Sequence, residues 1–265
     1  MTPADRLARL VETLDRHDAL AIAVSGGVDS MVLAHVAHSR ARTAMMAFHA
    51  ISPAVPRLAT RRVQDHATRY GWALHLVDAE ELADPAYRSN PVNRCFYCKS
   101  RLYERIAAGT GLRIASGTNM DDLSDYRPGL EAAKRHHVIH PFVEAGLRKA
   151  DIYAIANALG LDDLAALPAQ PCLASRIETG IRVDEGALRF IENVEAVLTA
   201  LLPEAGSTRC RITADGVYVE CDTIPLGTDR EHLERQMDAL CAQERRRFAG
   251  MRPYRRGAAF LRVSE

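Results

Sequence analysis

Ala19-Leu-Ala-Ile-Ala-Val-Ser25-Gly-Gly-Val-Asp-Ser30 is the stretch whose reading decides the fold. Residues 19–24 are apolar without a break. The run is too short for a buried helix and suits a strand covered on both faces. A glycine-rich polar turn follows, and Met31 to Ala41 then reads as helix. Upstream, Thr2-Pro3 with Leu7, Leu10, Val11 and Leu14 predicts a capped amphipathic helix with proline in its first turn. Downstream, strands are expected over Thr43–His49, Trp72–Val77 and Leu112–Ser116, with a strand-like piece at His137–His140. Helices are expected over Pro56–Tyr70, Tyr97–Ala108 and Gly129–Arg135. Strands alternating with helices call for an α/β fold with a doubly wound parallel sheet. Such sheets bind ligands outside the carboxyl ends of their strands.

The pattern changes after about residue 176. Leu188, Ile191, Leu198 and Leu202 keep helical spacing, with Glu195 interrupting the apolar stripe. Arg209–Ala214 and Val217–Cys221 alternate about Asp215-Gly216, a two-residue hairpin signal. With that turn, Cys210 opposes Cys221, Ile212 opposes Val219, Ala214 opposes Val217, and Arg211 opposes Glu220 on the other face. A helix carrying Leu233, Met237, Leu240, Cys241 and Phe248 follows, and the chain end can supply a further strand. The expected division is a larger domain over residues 1–178 and a smaller α+β domain over 179–265.

Composition narrows the function classes. Of the 265 residues 48% are hydrophobic, and Lys+Arg and Asp+Glu both number 34, giving a formal charge of zero. That balance disfavours a broad basic surface for nucleic acid. No apolar run approaches a membrane span, and Asp5, Glu12 and Asp15 break the pattern of a signal peptide. A cytoplasmic protein with reduced thiols is expected. Only Lys99, Lys134 and Lys149 are lysines, against 31 arginines, so a lysine here marks a place where a compact ammonium is wanted.

Between a buried strand and a helix, Ser25-Gly26-Gly27-Val28-Asp29-Ser30 is an anion cradle: backbone N–H groups and the helix N-terminus face the same oxygens. The Gly-Lys-Ser/Thr ending of the γ-phosphate-transferring loop is missing, which disfavours kinase chemistry. Gly117-Thr118-Asn119-Met120-Asp121-Asp122 follows the fourth strand and so lies at the same sheet edge. Thr118 and Asn119 can bond a nucleotide, and Asp122, alone or with Asp29, can hold Mg²⁺. Lys149 opens a helix. The loop resembles the signature of the PP-loop ATP pyrophosphatases, which cleave ATP between the α and β phosphates and leave AMP on a substrate oxygen. The resemblance implies that Ser25, Gly26, Gly27, Asp29 and Ser30 hold pyrophosphate, with Lys149 near phosphate.

The six cysteines divide into two sets. Cys95-Phe96-Tyr97-Cys98 is a C-x-x-C read as a loop entering a helix, a pattern shared by redox, zinc and cluster sites. Its place after a third strand disfavours a thioredoxin role. No second C-x-x-C completes a zinc site, and His136 and His140 straddle a strand start. Cys172 lies in Pro171-Cys172-Leu173-Ala174-Ser175-Arg176, kept extended by Pro168 and Pro171. Three thiolates suit a [4Fe–4S] cluster with one open iron. Alternatively, Cys172 is itself the sulfur source, its thiolate activated by Arg176. Cys210, Cys221 and Cys241 are expected to be core thiols.

Arg94-Cys95-Phe96-Tyr97-Cys98-Lys99, the 117–122 segment with Asp125-Tyr126-Arg127-Pro128-Gly129, and Pro171–Arg176 together resemble the LarE-type sulfur transferases in motif order and length. That resemblance implies adenylation of a carboxylate of a pyridinium mononucleotide and its conversion to a thiocarboxylate, on the way to a nickel-pincer cofactor. Some members sacrifice one cysteine; others carry three cysteines and a [4Fe–4S] cluster, the kind that Cys95, Cys98 and Cys172 match. It also implies a hexamer and a C-terminal Arg-Gly element at the substrate phosphate, here Tyr254-Arg255-Arg256-Gly257, with Ala258 where the family continues with Ser. Arg209 and Arg211, expected on a strand face away from the core, join Arg255 as acceptor-binding candidates. Cys172, Asp29 and Arg176 are the expected catalytic residues. A tRNA thiolase is the main rival, followed by an amidotransferase-like ligase and a non-catalytic nucleotide sensor.

Overall fold

The computed structural model describes residues 2–124, 127–168 and 171–255. In chain order the elements are α1 Pro3–Leu14, β1 Ala19–Ala23, α2 Val28–Ser39, β2 Ala44–Ile51, α3 Arg57–Tyr70, β3 Ala73–Asp78, α4 Pro85–Arg88, α5 Arg94–Gly109 and β4 Arg113–Ser116. They continue with α6 Pro128–Arg135, α7 Pro141–Glu144, α8 Lys149–Ala158, α9 Asp162–Ala165, α10 Glu185–Leu201, β5 Thr208–Thr213, β6 Gly216–Cys221, α11 Gly227–Gln243 and β7 Phe248–Pro253. Two compact units result: residues 1–81 with 95–170, and residues 82–94 with 171–265.

The first unit is the doubly wound parallel sheet, in strand order β3-β2-β1-β4, the arrangement of the PP-loop, adenine-nucleotide alpha-hydrolase fold. Side chains alternate along a strand, and β1 sends them into two cores. Leu20 and Ile22 join α2, α3 and α8 residues such as Met31, Val63 and Ile152. Ala21 and Ala23 join Tyr103 and Ile106 of α5 and Ala132 of α6. Both faces are covered, which is why β1 reads as an unbroken apolar run. The strand order runs from β1 outward to β3 and then returns past β1 to β4. The switch point therefore lies at the carboxyl ends of β1 and β4, where such sheets open a crevice.

Local signals set most element starts. Thr2 caps α1 in a capping box with Asp5, as its sequence anticipates. His137–His140 forms no strand; a single bridge joins Ile139 to Ala115. Among the described residues no helix is long and apolar enough to cross a membrane.

In the second unit β5, β6 and β7 form a mixed sheet, with β5–β6 antiparallel and β6–β7 parallel. α10 packs on β5 and α11 on β7. The hairpin register differs from the expected one by two residues: Cys210 pairs with Val219, Ile212 with Val217 and Thr213 with Gly216. The turn is therefore Ala214-Asp215, and Gly216 is already strand. Gly216 is needed for another reason. A Cβ there would meet the Arg247 carbonyl at 2.7 Å, the same carbonyl that accepts from the Val217 N–H. The glycine serves the approach of the segment entering β7.

Candidate functional site

Within the first unit, the turn after β1 is held by its own hydroxyls. The Ser25 N–H donates to Ser30 Oγ at 3.0 Å, the two serine hydroxyls lie 3.1 Å apart, and Ser30 Oγ donates to the Gly27 carbonyl. Gly26 has φ +82°, and a Cβ there would meet the Ala59 carbonyl at 2.8 Å. Only glycine fits this position. The first-turn N–H groups of α2 have no acceptor within their own helix.

Gly117 brings the second segment against this loop. A Cβ on it would lie 2.7 Å from the Ser30 nitrogen and 2.9 Å from the Asp29 carbonyl carbon. Asn119, 2% exposed, donates from Nδ2 to Asp29 Oδ1 at 3.3 Å and accepts the Asp121 N–H. Lys149, the first residue of α8, places Nζ 2.5 Å from Asp29 Oδ2. Asp29, Asn119 and Lys149, scattered over 120 residues, thus meet at one carboxylate. Thr118 Oγ1 lies 3.1 Å from Ser116 Oγ, which also meets His140 Nδ1 at 2.9 Å. Burial holds the His140 imidazole below its usual pKa. Asp122 accepts the Asn119 N–H and pairs with Arg127 at 2.9 Å.

The sequence reading missed several residues that build this site. Asp121 accepts from the Lys149 N–H at 2.9 Å and from Arg148 at 2.8 Å, tying the start of α8 to the second segment. These hydrogen bonds hold its carboxyl below the ordinary range. Arg62 of α3 donates to the Gly26 carbonyl at 2.7 Å, and buried His49 donates from Nδ1 to the Val24 carbonyl at 2.8 Å. No motif flags Arg62 or His49, because each reaches the loop from a neighbouring element.

Cys95 and Cys98 are corrected from a loop to the first turns of α5, which begins at Arg94. At i and i+3 they share one helix face, and both are half-buried and in no disulfide. His136 and His140 do not come together as ligands: His136 lies beside Tyr103 and His140 at Ser116. Within either unit, no three His, Cys, Asp or Glu side chains among the described residues gather as a metal-binding group.

In the second unit Cys172 precedes the 3₁₀ turn Leu173–Arg176. Arg176, 4% exposed, donates to the carbonyls of Pro171 at 2.6 Å and Cys172 at 3.1 Å. Its other donors meet Glu195 in a fork of 2.9 and 3.0 Å. The guanidinium thus holds the backbone on either side of Cys172 and is paired with Glu195. Glu195 interrupts the apolar stripe of α10 for this reason, and it also accepts the Cys210 N–H at 3.1 Å.

Arg211 is likewise not on an open strand face. It is 5% exposed, pairs with the 1%-exposed Glu220 at 2.8 Å, and donates to the Ser175 carbonyl at 2.6 Å. The 3₁₀ turn covers that face, and Glu220 also pairs with Arg252. The Arg211–Glu220 pair forms diagonally, since Glu220 stands directly opposite Arg209. Arg209 extends over the Tyr254 ring at 5.7 Å, which brings the residue before exposed Arg255 beneath it. Asp125, Tyr126, Arg256, Gly257 and Ala258 lie outside the described residues. Cys210, Cys221 and Cys241 are buried free thiols. Desolvation raises all three pKa values, to about 11 for Cys221 and Cys241, as fits inert core cysteines.

No protein-family model matches the chain. It is 27% identical over 248 residues to the pyridinium-3,5-bisthiocarboxylic acid mononucleotide synthase of Lactiplantibacillus plantarum, covering 90% of this chain and 88% of that one. It is 29% identical over 185 residues to the tRNA-cytidine(32) 2-sulfurtransferase of Syntrophotalea carbinolica, covering 60% and 68%. These likenesses and the fold agree with membership of the PP-loop superfamily. At 36% identity over 200 residues, 74% of each chain, the protein belongs to the same family as the slr1717 protein of Synechocystis.

Proposed function

We propose that the protein is an ATP-dependent sulfurtransferase of the PP-loop class that adenylates an acceptor carboxylate and replaces its oxygen with sulfur. The observation that carries this reading is the meeting of Asp29, Asn119 and Lys149 against the glycine turn at the carboxyl end of β1. Ser25, Gly26, Gly27 and Ser30 cradle the β and γ phosphates, and Gly117, Thr118 and Asn119 border the nucleotide. The Lys149 ammonium adds positive charge where pyrophosphate departs. Asp29 and Asp122 carry the hard oxygen donors beside the loop; Mg²⁺ would replace their pairing with Lys149 and Arg127 and would neutralise phosphate charge.

The acceptor carboxylate oxygen attacks the α-phosphorus, the bond to the α–β bridging oxygen breaks, and pyrophosphate leaves. A sulfur nucleophile then attacks the acyl carbon and AMP departs with the acyl oxygen. No net oxidation occurs. The acceptor we favour is a carboxylate of a pyridinium mononucleotide, in keeping with the name of the relative matched over nine-tenths of the chain and with the path to a nickel-pincer cofactor. The first unit acts as the ATP pyrophosphatase domain and the second as the substrate and oligomerisation domain, with Arg209 and Arg255 toward the acceptor phosphate and Arg211 bracing their sheet. Cys95 and Cys98, adjacent on one face of α5, fit two thiolate positions of a [4Fe–4S] cluster with Cys172 as the third. Such a cluster supplies sulfide when bound.

Anaerobic incubation with ATP, Mg²⁺ and the pyridinium acceptor tests the reading. Pyrophosphate and thiocarboxylate are expected in equal amounts, with the polypeptide mass unchanged and iron and labile sulfide present. A mass loss of one H₂S would instead assign Cys172 as a sacrificial donor. Absence of pyrophosphate with every carboxylate acceptor would overturn the reaction.

A further inference from the structure

We infer that Arg62 is a positioning residue of the phosphate loop, acting through the Gly26 carbonyl; this rests on the pyrophosphatase reading above. Helix α3 supports the loop from outside with one face. Ala59 fills the space a Gly26 side chain would need, and Arg62, three residues on, donates to the Gly26 carbonyl at 2.7 Å. Two residues back along the loop, the Val24 carbonyl accepts from His49 Nδ1, and His49 Nε2 meets Thr60 Oγ1 of the same helix at 2.9 Å. A carbonyl only accepts, so the His49 proton sits on Nδ1 and Nε2 accepts from the Thr60 hydroxyl. Burial lowers the His49 pKa and favours this neutral form.

The carbonyls of Val24 and Gly26 are thus both engaged by α3 or its relay. In a trans peptide the C=O and N–H point to opposite sides. Pinning the Gly26 carbonyl therefore turns the Gly27 N–H away from α3 and into the loop. There its acceptor is Ser25 Oγ at 3.4 Å, a long contact that an anionic oxygen can replace. Gly26 tolerates many backbone angles, so the peptide would rotate readily without an outside tether. Burial lowers the Arg62 pKa, and Asp163 of α9 opposes that by favouring the charged form; Asp163 is itself bound by His66, one turn along α3, at 2.7 Å.

Binding of inorganic pyrophosphate and of AMP, measured separately by calorimetry on the full chain, tests this. Arg62→Met keeps the aliphatic stem and loses the donor. It is expected to weaken pyrophosphate about tenfold, the value of one charge-assisted hydrogen bond, and to leave AMP affinity unchanged. Arg62→Lys restores a donor and should recover most of the loss. Arg61→Met removes the same charge from the exposed side of α3 and should bind like wild type. Equal pyrophosphate affinity for wild type and Arg62→Met, equal losses for both ligands, or an equal loss in Arg61→Met would each overturn the role of Arg62. Wild type that binds neither ligand would instead remove the pyrophosphatase reading, and this inference with it.

Discussion

Replacing Gly117 by alanine tests whether the two segments at the switch point form one site. The added Cβ would lie 2.7 Å from the Ser30 nitrogen and 2.9 Å from both the Asp29 carbonyl carbon and Ser30 Cα. These are backbone atoms in the first turn of α2, so no side-chain rotation relieves the clash. Reaching ordinary contact needs a displacement of roughly 0.7 Å, and overpacking of this kind costs about 1–3 kcal/mol. Taking about 2 kcal/mol, Tm should fall by roughly 4–8 °C for a unit of this size. The function should suffer more, because misplacing groups by about 1 Å costs on the order of a hundredfold in rate. ATP affinity should drop at least about tenfold and acceptor-dependent pyrophosphate release further. Gly111→Ala is the control: nothing lies within 4 Å of its Cβ position, so stability and ATP binding should stay within about 0.5 kcal/mol of wild type. A Gly117→Ala protein with unchanged Tm and ATP affinity would refute the tight junction between the segments.

Glu195→Ala should destabilise the second unit by about 3–5 kcal/mol, because it strands the 4%-exposed Arg176 without its counter-charge; urea unfolding within 1 kcal/mol of wild type would contradict this. Burial, with His66, Arg40 and His38 nearby, lowers the His35 pKa from 6.5 to about 4. The unfolded chain binds this proton at a higher pH than the folded one, so stability is lost as pH falls from about 6.5 towards 4. The loss is about 2 kcal/mol after allowance for residual solvation. His35→Gln should flatten that part of the Tm-against-pH curve, and an identical curve in the variant would show that other groups carry it.

The parallel sheet was legible because its signals are local. β1 is an apolar run bounded by a glycine turn, and its alternate residues enter two cores whichever helices cover them. The turn after β1 was legible for the same reason: strand, glycine turn and helix start are contiguous. The C-x-x-C was visible, but the helix around it begins earlier than periodicity suggests: α5 starts at Arg94, directly after Asn93, a residue type that favours the N-cap. The hairpin failed differently. Asp215-Gly216 matches a common turn pair, yet Gly216 is reserved for the close approach of the Arg247 carbonyl, a demand from a segment some thirty residues away. Glu195 and Arg211 show the same limit. A charge inside an apolar stripe, or on an alternating strand, does not announce which buried partner will neutralise it.

By itself the amino-acid order determined the alternation of strands and helices in the parallel sheet and the glycine turn between β1 and α2, because those properties depend on neighbours a few residues apart. The tertiary structure alone decided that Lys149 and Asn119 converge on Asp29, that Arg62 and His49 hold the loop carbonyls, and that Arg176 serves the backbone around Cys172. Each depends on distance and direction between elements apart in the chain, which packing within each unit sets and no local spacing encodes.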